Sequence, residues 1–226
     1  MNLHLLCQPG IRDIRHILDA ARPYLAVQAK PVVAYLPAAS PVYNWLDYTE
    51  KAFAGLAEIA YIDTETIPLA GVAAIFDRAG VVYISGGNTF LLNHRLHRSG
   101  VFDLLQQRII DGLPVVGFSA GATICGPTIL TSNDMNMCAT PYFEGLNVTP
   151  FNFSVHYPSD ETTRDKWDEW LSEYHVYYDN SVLALEDDAY LRINSHETIL
   201  AHGGGWLLSK GKERQRIELG APLSSV

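Results

Sequence analysis

The chain has 226 residues, of which 48% are hydrophobic and 18% charged. That composition belongs to a globular chain able to bury a sizeable core, and it excludes an intrinsically disordered one. Lys+Arg is 16 and Asp+Glu is 25, a formal net charge of −9, so nothing electrostatic draws the chain to nucleic acid or to an anionic membrane surface.

Leu3–Cys7 is a short apolar run, read as a first strand, and Pro9-Gly10 breaks it. The run lacks the basic flank and length of a signal peptide. No run in the chain approaches the roughly 18 apolar residues of a membrane span. From Ile11 to Val27, apolar residues recur at Ile11, Ile14, Ile17, Leu18 and Ala21, which is helical spacing. Val32–Leu36 reads as a strand and Tyr43–Leu56 as a helix with Pro41 near its start. Ile59–Ile62 is a strand, Leu69–Ala79 a helix and Val81–Ile84 a buried strand. A helix carrying Phe90, Leu91 and Leu92 follows, is interrupted at Gly100, and resumes over Val101–Ile110. Val115–Phe118 is the next strand. The alternation argues for a mostly parallel sheet with helices on both faces. Ligands of such sheets sit at the carboxyl ends of the strands. Both Gly-containing turns, at Gly86 and at Ser119, fall there, which favours a single domain over residues 1–226.

Beyond Cys125 the texture changes. Residues 127–150 lack periodicity and read as a long loop, a kind of segment that is often functional. Phe151–His156 alternates as a strand, and Asp160–Tyr174 is a helix with Trp167, Trp170 and Leu171 on one face. Val182–Leu185, Ala189–Ile193, Thr198–His202 and Trp206–Ser209 read as four short strands of an antiparallel extension to the sheet. Cys7, Cys125 and Cys138 are odd in number and lack CxxC spacing. They suggest neither a disulfide framework nor a zinc ribbon, and a cytoplasmic location is expected. The sequons at Asn147 and Asn152 are read as chance.

The sharpest chemical feature is Gly117-Phe118-Ser119-Ala120-Gly121, a G-x-S-x-G motif. Such a strand-to-helix turn lifts a serine hydroxyl above the sheet and aims the following N–H at an oxyanion. A serine needs a base. Of eight histidines, His4 and His16 read as structural or solvated, and His175 as a helix-end cation. His94 and His97 lie three apart on one helix without a third ligand, so no metal is expected. His156 ends a strand after the elbow and is placed to reach Ser119. The acid that orients its ring is left between Asp134 and the run Glu186-Asp187-Asp188. Ser85-Gly86-Gly87-Asn88-Thr89 is a second strand-end turn whose N–H groups suit an anion, and Gly87 is the natural second oxyanion donor. His202-Gly203-Gly204-Gly205 is like an esterase motif but follows the serine, and reads as a hairpin turn.

Together, Ser85–Phe90, Gly117–Ala122, Pro127–Ile129, Thr131–Met135 and His156 resemble the peptidase E family of α-aspartyl dipeptidases, with cyanophycinases more distant. The resemblance implies an α/β fold akin to class I glutamine amidotransferases, and a serine exopeptidase for dipeptides with N-terminal aspartate. It implies Ser119 as nucleophile, His156 as base, and the Gly87 and Ala120 N–H groups as oxyanion hole. The family's Leu-Pro-Glu-Gly segment aligns with Leu185-Glu186-Asp187-Asp188, which puts the acid on Asp187, or on Glu186 with a one-residue slip. Asp134 matches a family aspartate, either another triad acid or an anchor for the substrate ammonium. Arg164 matches an arginine suited to a substrate carboxylate, and Asn88 joins them as a substrate-binding candidate. No cofactor is expected; the partner is a small peptide, with no nucleic acid or membrane, and the state is monomer or homodimer. Two rivals stand beside this reading. One is an esterase using Ser119, Asp187 and a late histidine, His196 or His202; the other is a non-catalytic binding protein on the same scaffold.

Overall fold

A computed structural model describes residues 1–7, 14–42 and 45–223. The break predicted at Pro9-Gly10, the Ile11 end of the first helix and the Tyr43 start of the second lie outside the described residues. Among the described residues the first half alternates as expected: β1 (Asn2–Leu6), α1 (Arg15–Leu25), β2 (Val32–Leu36), α2 (Leu46–Phe53), β3 (Glu58–Tyr61), α3 (Leu69–Arg78), β4 (Val81–Ile84), α4 (Thr89–Ser99), α5 (Val101–Ile110), β5 (Val115–Phe118) and α6 (Ala120–Thr123). The second half contains β6 (Asn152–Tyr157), α7 (Glu161–Tyr177), β7 (Val182–Glu186), β8 (Tyr190–Asn194), β9 (Thr198–His202), β10 (Gly205–Leu208) and β11 (Gln215–Arg216).

The main sheet has the order β3-β2-β4-β5-β1-β8-β9. Its first five strands are parallel, and β8 and β9 add antiparallel. The strands β2, β4 and β5 are buried at every position, as unbroken apolar runs inside a two-faced sheet should be. The helix α4 starts where the Asn88 side chain accepts from Leu91 N–H, and stops at Gly100, whose φ of 74° ends it before α5 begins. Asp160 caps α7 by accepting from Thr163 N–H at 2.9 Å. Leu171 on that helix is buried, and Trp167 and Trp170 pack beside it against β6, β7 and β10.

The antiparallel extension is divided. While β8 and β9 extend the main sheet, β7 and β10 build a second sheet of order β11-β10-β7-β6, in which β6 and β7 are parallel. The segment His202–Gly205 is therefore not a hairpin turn but a crossing from one sheet to the other. Leu183 and Leu185 are wanted in the core under β6 (Phe153, Val155), and that core is continuous with Leu3, Leu5 and Val115 of the main sheet. The long loop 127–150 carries no helix or strand, yet Ile129, Leu146 and Val148 drop into the same core. A bridge between Thr128 and Glu144 ties its ends.

Candidate active site

Three chain segments meet at the carboxyl ends of β1, β4 and β5. Ser119 stands between β5 and α6 with φ 52° and ψ −108°, a conformation that an ordinary residue adopts only under strain. Its N–H is held by the Leu6 carbonyl at 2.9 Å, and its own carbonyl accepts from Ala122 and Thr123 N–H. The flanking glycines permit the close turn: a Cβ on Gly121 would stand 2.3 Å from the Ile84 carbonyl oxygen, and one on Gly117 2.4 Å from that of Gly121.

The Ser119 Oγ lies 2.9 Å from His156 Nε2, and His156 Nδ1 lies 2.7 Å from Asp187 Oδ1. A carboxylate only accepts, so Nδ1 carries the proton and the Nε2 lone pair faces the serine hydroxyl. His156 does not end its strand, as the sequence suggested. It sits in a bulge inside β6, with φ 61° and a register shift between Val155 and Tyr157. The bulge turns the imidazole out of the second sheet toward the first. Its N–H donates to Cys7 Sγ at 2.9 Å, and the same sulfur lies 3.6 Å from Nδ1. Burial pushes the Cys7 thiol up to about 12, so it stays protonated, within 3.5 Å of the Leu185 carbonyl. Cys7 is a site residue that the sequence reading missed. Its place at the end of a first parallel strand was the available signal.

Gly87, in the turn after β4, has φ 143°, and a Cβ there would stand 2.4 Å from the Ala39 carbonyl oxygen. Neither the Gly87 nor the Ala120 N–H donates to a protein acceptor among the described residues. Asn88 is committed to α4 and to the loop: Oδ1 accepts from Leu91 N–H, and Nδ2 donates to the Met135 carbonyl, each at 2.9 Å.

The alternative acids stand elsewhere. Asp134 Oδ2 accepts from Thr89 N–H at 2.7 Å and Ser132 Oγ at 3.0 Å. It lines a cavity of about 360 Å³ with Ser132, Asn133, Trp167 and Trp170, next to the Gly87-Asn88 turn and away from the His156 ring. Glu186 also leaves His156 alone. It accepts from Trp206 Nε1 at 2.9 Å, and pairs with Arg216 and, at 3.7 Å, with Arg164. Burial works against its charge, but Arg216, Trp206 and Arg164 together hold its carboxyl below the usual value. Arg164 is correspondingly not a free cation. Its guanidinium donates to the Pro158 and Ser159 carbonyls and lies 5.0 Å over the Trp206 ring, which Arg214 and Arg216 also flank.

His4, His97 and His202 have other partners. His4 bonds the Tyr24 and Tyr190 hydroxyls. His97 stacks between Phe102 and Tyr142, with ring centroids 3.9 and 4.3 Å away. His202 Nδ1 lies 3.0 Å from the Asp188 carbonyl and its ring packs on His16; it does not serve Ser119.

Known proteins resemble this chain along its length. Residues 9–201 match the model of peptidase family S51. A peptidase E of Streptomyces coelicolor is 31% identical over an alignment covering 100% of this chain and 95% of that protein. A protein of Drosophila melanogaster named a probable alpha-aspartyl dipeptidase is 35% identical over 54% of this chain and 53% of its own. A crystal structure of a peptidase from an acI-B1 actinobacterium shares the fold, with a TM-score of 0.70 at 14% identity, over 99% of this chain and 96% of that one.

Proposed function

Since this chain belongs to peptidase family S51 and is accordingly a peptidase, we propose that it is a serine exopeptidase for dipeptides with N-terminal aspartate. The observation that carries this reading is the unbroken relay from Ser119 Oγ through His156 to Asp187, at 2.9 and 2.7 Å. Ser119 attacks the scissile carbonyl while His156 Nε2 takes its proton. Asp187 holds the ring in the tautomer that can accept, and stabilises the imidazolium once formed. The Gly87 and Ala120 N–H groups bind the oxyanion. The imidazolium then protonates the departing amine, and water, activated by the same nitrogen, releases the acyl group from Ser119.

Two groups of opposite sign recognise the substrate. Asp134, backed by the Trp167 and Trp170 faces of its cavity, takes the ammonium. The aspartate carboxylate goes to the cluster around Trp206, in which Arg164, Arg214 and Arg216 outnumber Glu186 and Asp168 by one charge. A panel of Asp-X, Glu-X, Asn-X and Ala-X dipeptides tests the assignment. Asp-X should exceed Asn-X in kcat/KM by at least about 10²-fold, because the neutral amide leaves a cation unpaired. Equal rates would overturn the aspartate assignment and leave hydrolysis standing.

A further inference from the structure

We propose that Cys7, His156 and Asp187 form a zinc site that switches the hydrolase off. The binding stands on geometry alone; the inhibition rests on the triad proposed above. One ligand atom from each of the three residues lies within 4.8 Å of the other two. A tetrahedral zinc bound to one sulfur, one imidazole nitrogen and one carboxylate oxygen sets sulfur and nitrogen about 3.5 Å apart, and nitrogen and oxygen about 3.3 Å apart. The protein already has Sγ and Nδ1 at 3.6 Å, and Nδ1 and Oδ1 at 2.7 Å. The carboxylate must swing off the Nδ1 axis, which the ion takes, and its separation from Nδ1 must widen by about half an ångström. It is free to do so, since the Asp187 side chain is 50% exposed. The ion enters from that side, with water in the fourth position. A sulfur, nitrogen and oxygen set favours zinc over magnesium or calcium, which take oxygen.

The chemistry of occupation is simple. Zinc takes the Nδ1 lone pair, so the single imidazole proton must reside on Nε2. The Cys7 thiol gives its proton to solvent on binding the ion. Asp187 changes from hydrogen-bond acceptor to ligand. One proton leaves per zinc bound, and the imidazole remains neutral. With a proton on Nε2, His156 donates to Ser119 instead of accepting from it, and the serine has no base.

Cobalt(II) serves as the optical probe of the full chain. The wild type should bind one equivalent with near-ultraviolet thiolate-to-cobalt absorption, competed by zinc. Cys7→Ser should lose that band, and Cys138→Ser should keep it. Asp187→Asn should bind cobalt at least about tenfold more weakly; this variant tests the site even where Cys7→Ser fails to fold. Free zinc at about ten times its Kd should lower wild-type hydrolysis about tenfold, with recovery on adding a chelator. Cys7→Ser should be far less sensitive, relative to its own rate with chelator. A wild type without the band, a band that survives in Cys7→Ser, or a loaded wild type that still hydrolyses at full rate overturns the proposal. Failure of the wild type to hydrolyse any dipeptide counts against the proposed function instead, because the cobalt measurements do not depend on turnover.

Discussion

Glu186 and Asp187 are neighbours in sequence and opposites in setting. Asp187 is half exposed beside the His156 ring, whereas the Glu186 carboxylate is 14% exposed among Arg164, Arg216 and Trp206. Asp187→Asn should therefore lower kcat by about 10³ with little change in unfolding free energy. Glu186→Gln should do the reverse, costing about 1–3 kcal/mol in urea denaturation while kcat falls far less. The motif singled out Ser119 in the sequence, whereas His156 was reached through a strand-end placement that the bulge in β6 replaces. Choosing between two adjacent acids was not legible, because it depends on which one β7 turns inward and on an arginine thirty residues away. Cys7 and His156 meet across 149 residues, a contact that no local pattern announces. His4 gives a pH prediction at the same scale. Burial, aided by Arg192, lowers it from 6.5 to about 4. Above the unfolded value both states are neutral. As pH falls below it, the unfolded chain takes a proton that the folded one refuses, so stability drops. Between about pH 7 and pH 5 the loss should be about 2 kcal/mol. His4→Phe should flatten that part of the stability curve, and an unchanged slope would show that another group carries it.

Among elements, the central strands β2, β4 and β5 were readable because each is a short apolar run buried on both faces. The helix ends were readable where a cap exists, as at Asn88, Gly100 and Asp160. Asp160→Ala, which removes the acceptor of Thr163 N–H, should destabilise the protein by about 1 kcal/mol in chemical denaturation. A change below a few tenths would mean that α7 is held by its packed face alone. The division of the last strands between two sheets was not readable. The burial pattern of a strand fixes which of its faces are covered but not by which neighbour: β7 is an unbroken apolar run and β8 alternates, and neither says which sheet it joins. That division has a consequence at the site: it brings His156 from β6 and Asp187 from the end of β7 into the second sheet, facing the serine of the first. The bulge at His156, with its positive φ, is likewise set by the docking of two sheets and not by any turn residue in the sequence.

Across the whole molecule, one core joins the two sheets, since Phe153, Leu183 and Leu185 pack in the same cluster as Leu3, Leu5 and Val115. We propose that the chain is accordingly one cooperative unit. Tryptophan fluorescence of a Trp45→Phe variant, which leaves Trp167, Trp170 and Trp206 of the second sheet and its helix as the only tryptophans, should then report the same unfolding midpoint as far-ultraviolet circular dichroism. Two separated transitions would make the second sheet a domain of its own. The relay of serine, histidine and aspartate depends on that union, because its members come from both sheets. The most direct test of the account is hydrolysis of Asp-Leu by the wild type and by Ser119→Ala, with the fold of each checked by circular dichroism. The account predicts a fall in kcat of at least about 10³ for the folded variant; a Ser119→Ala protein that still cleaves Asp-Leu at a rate near that of the wild type would contradict it.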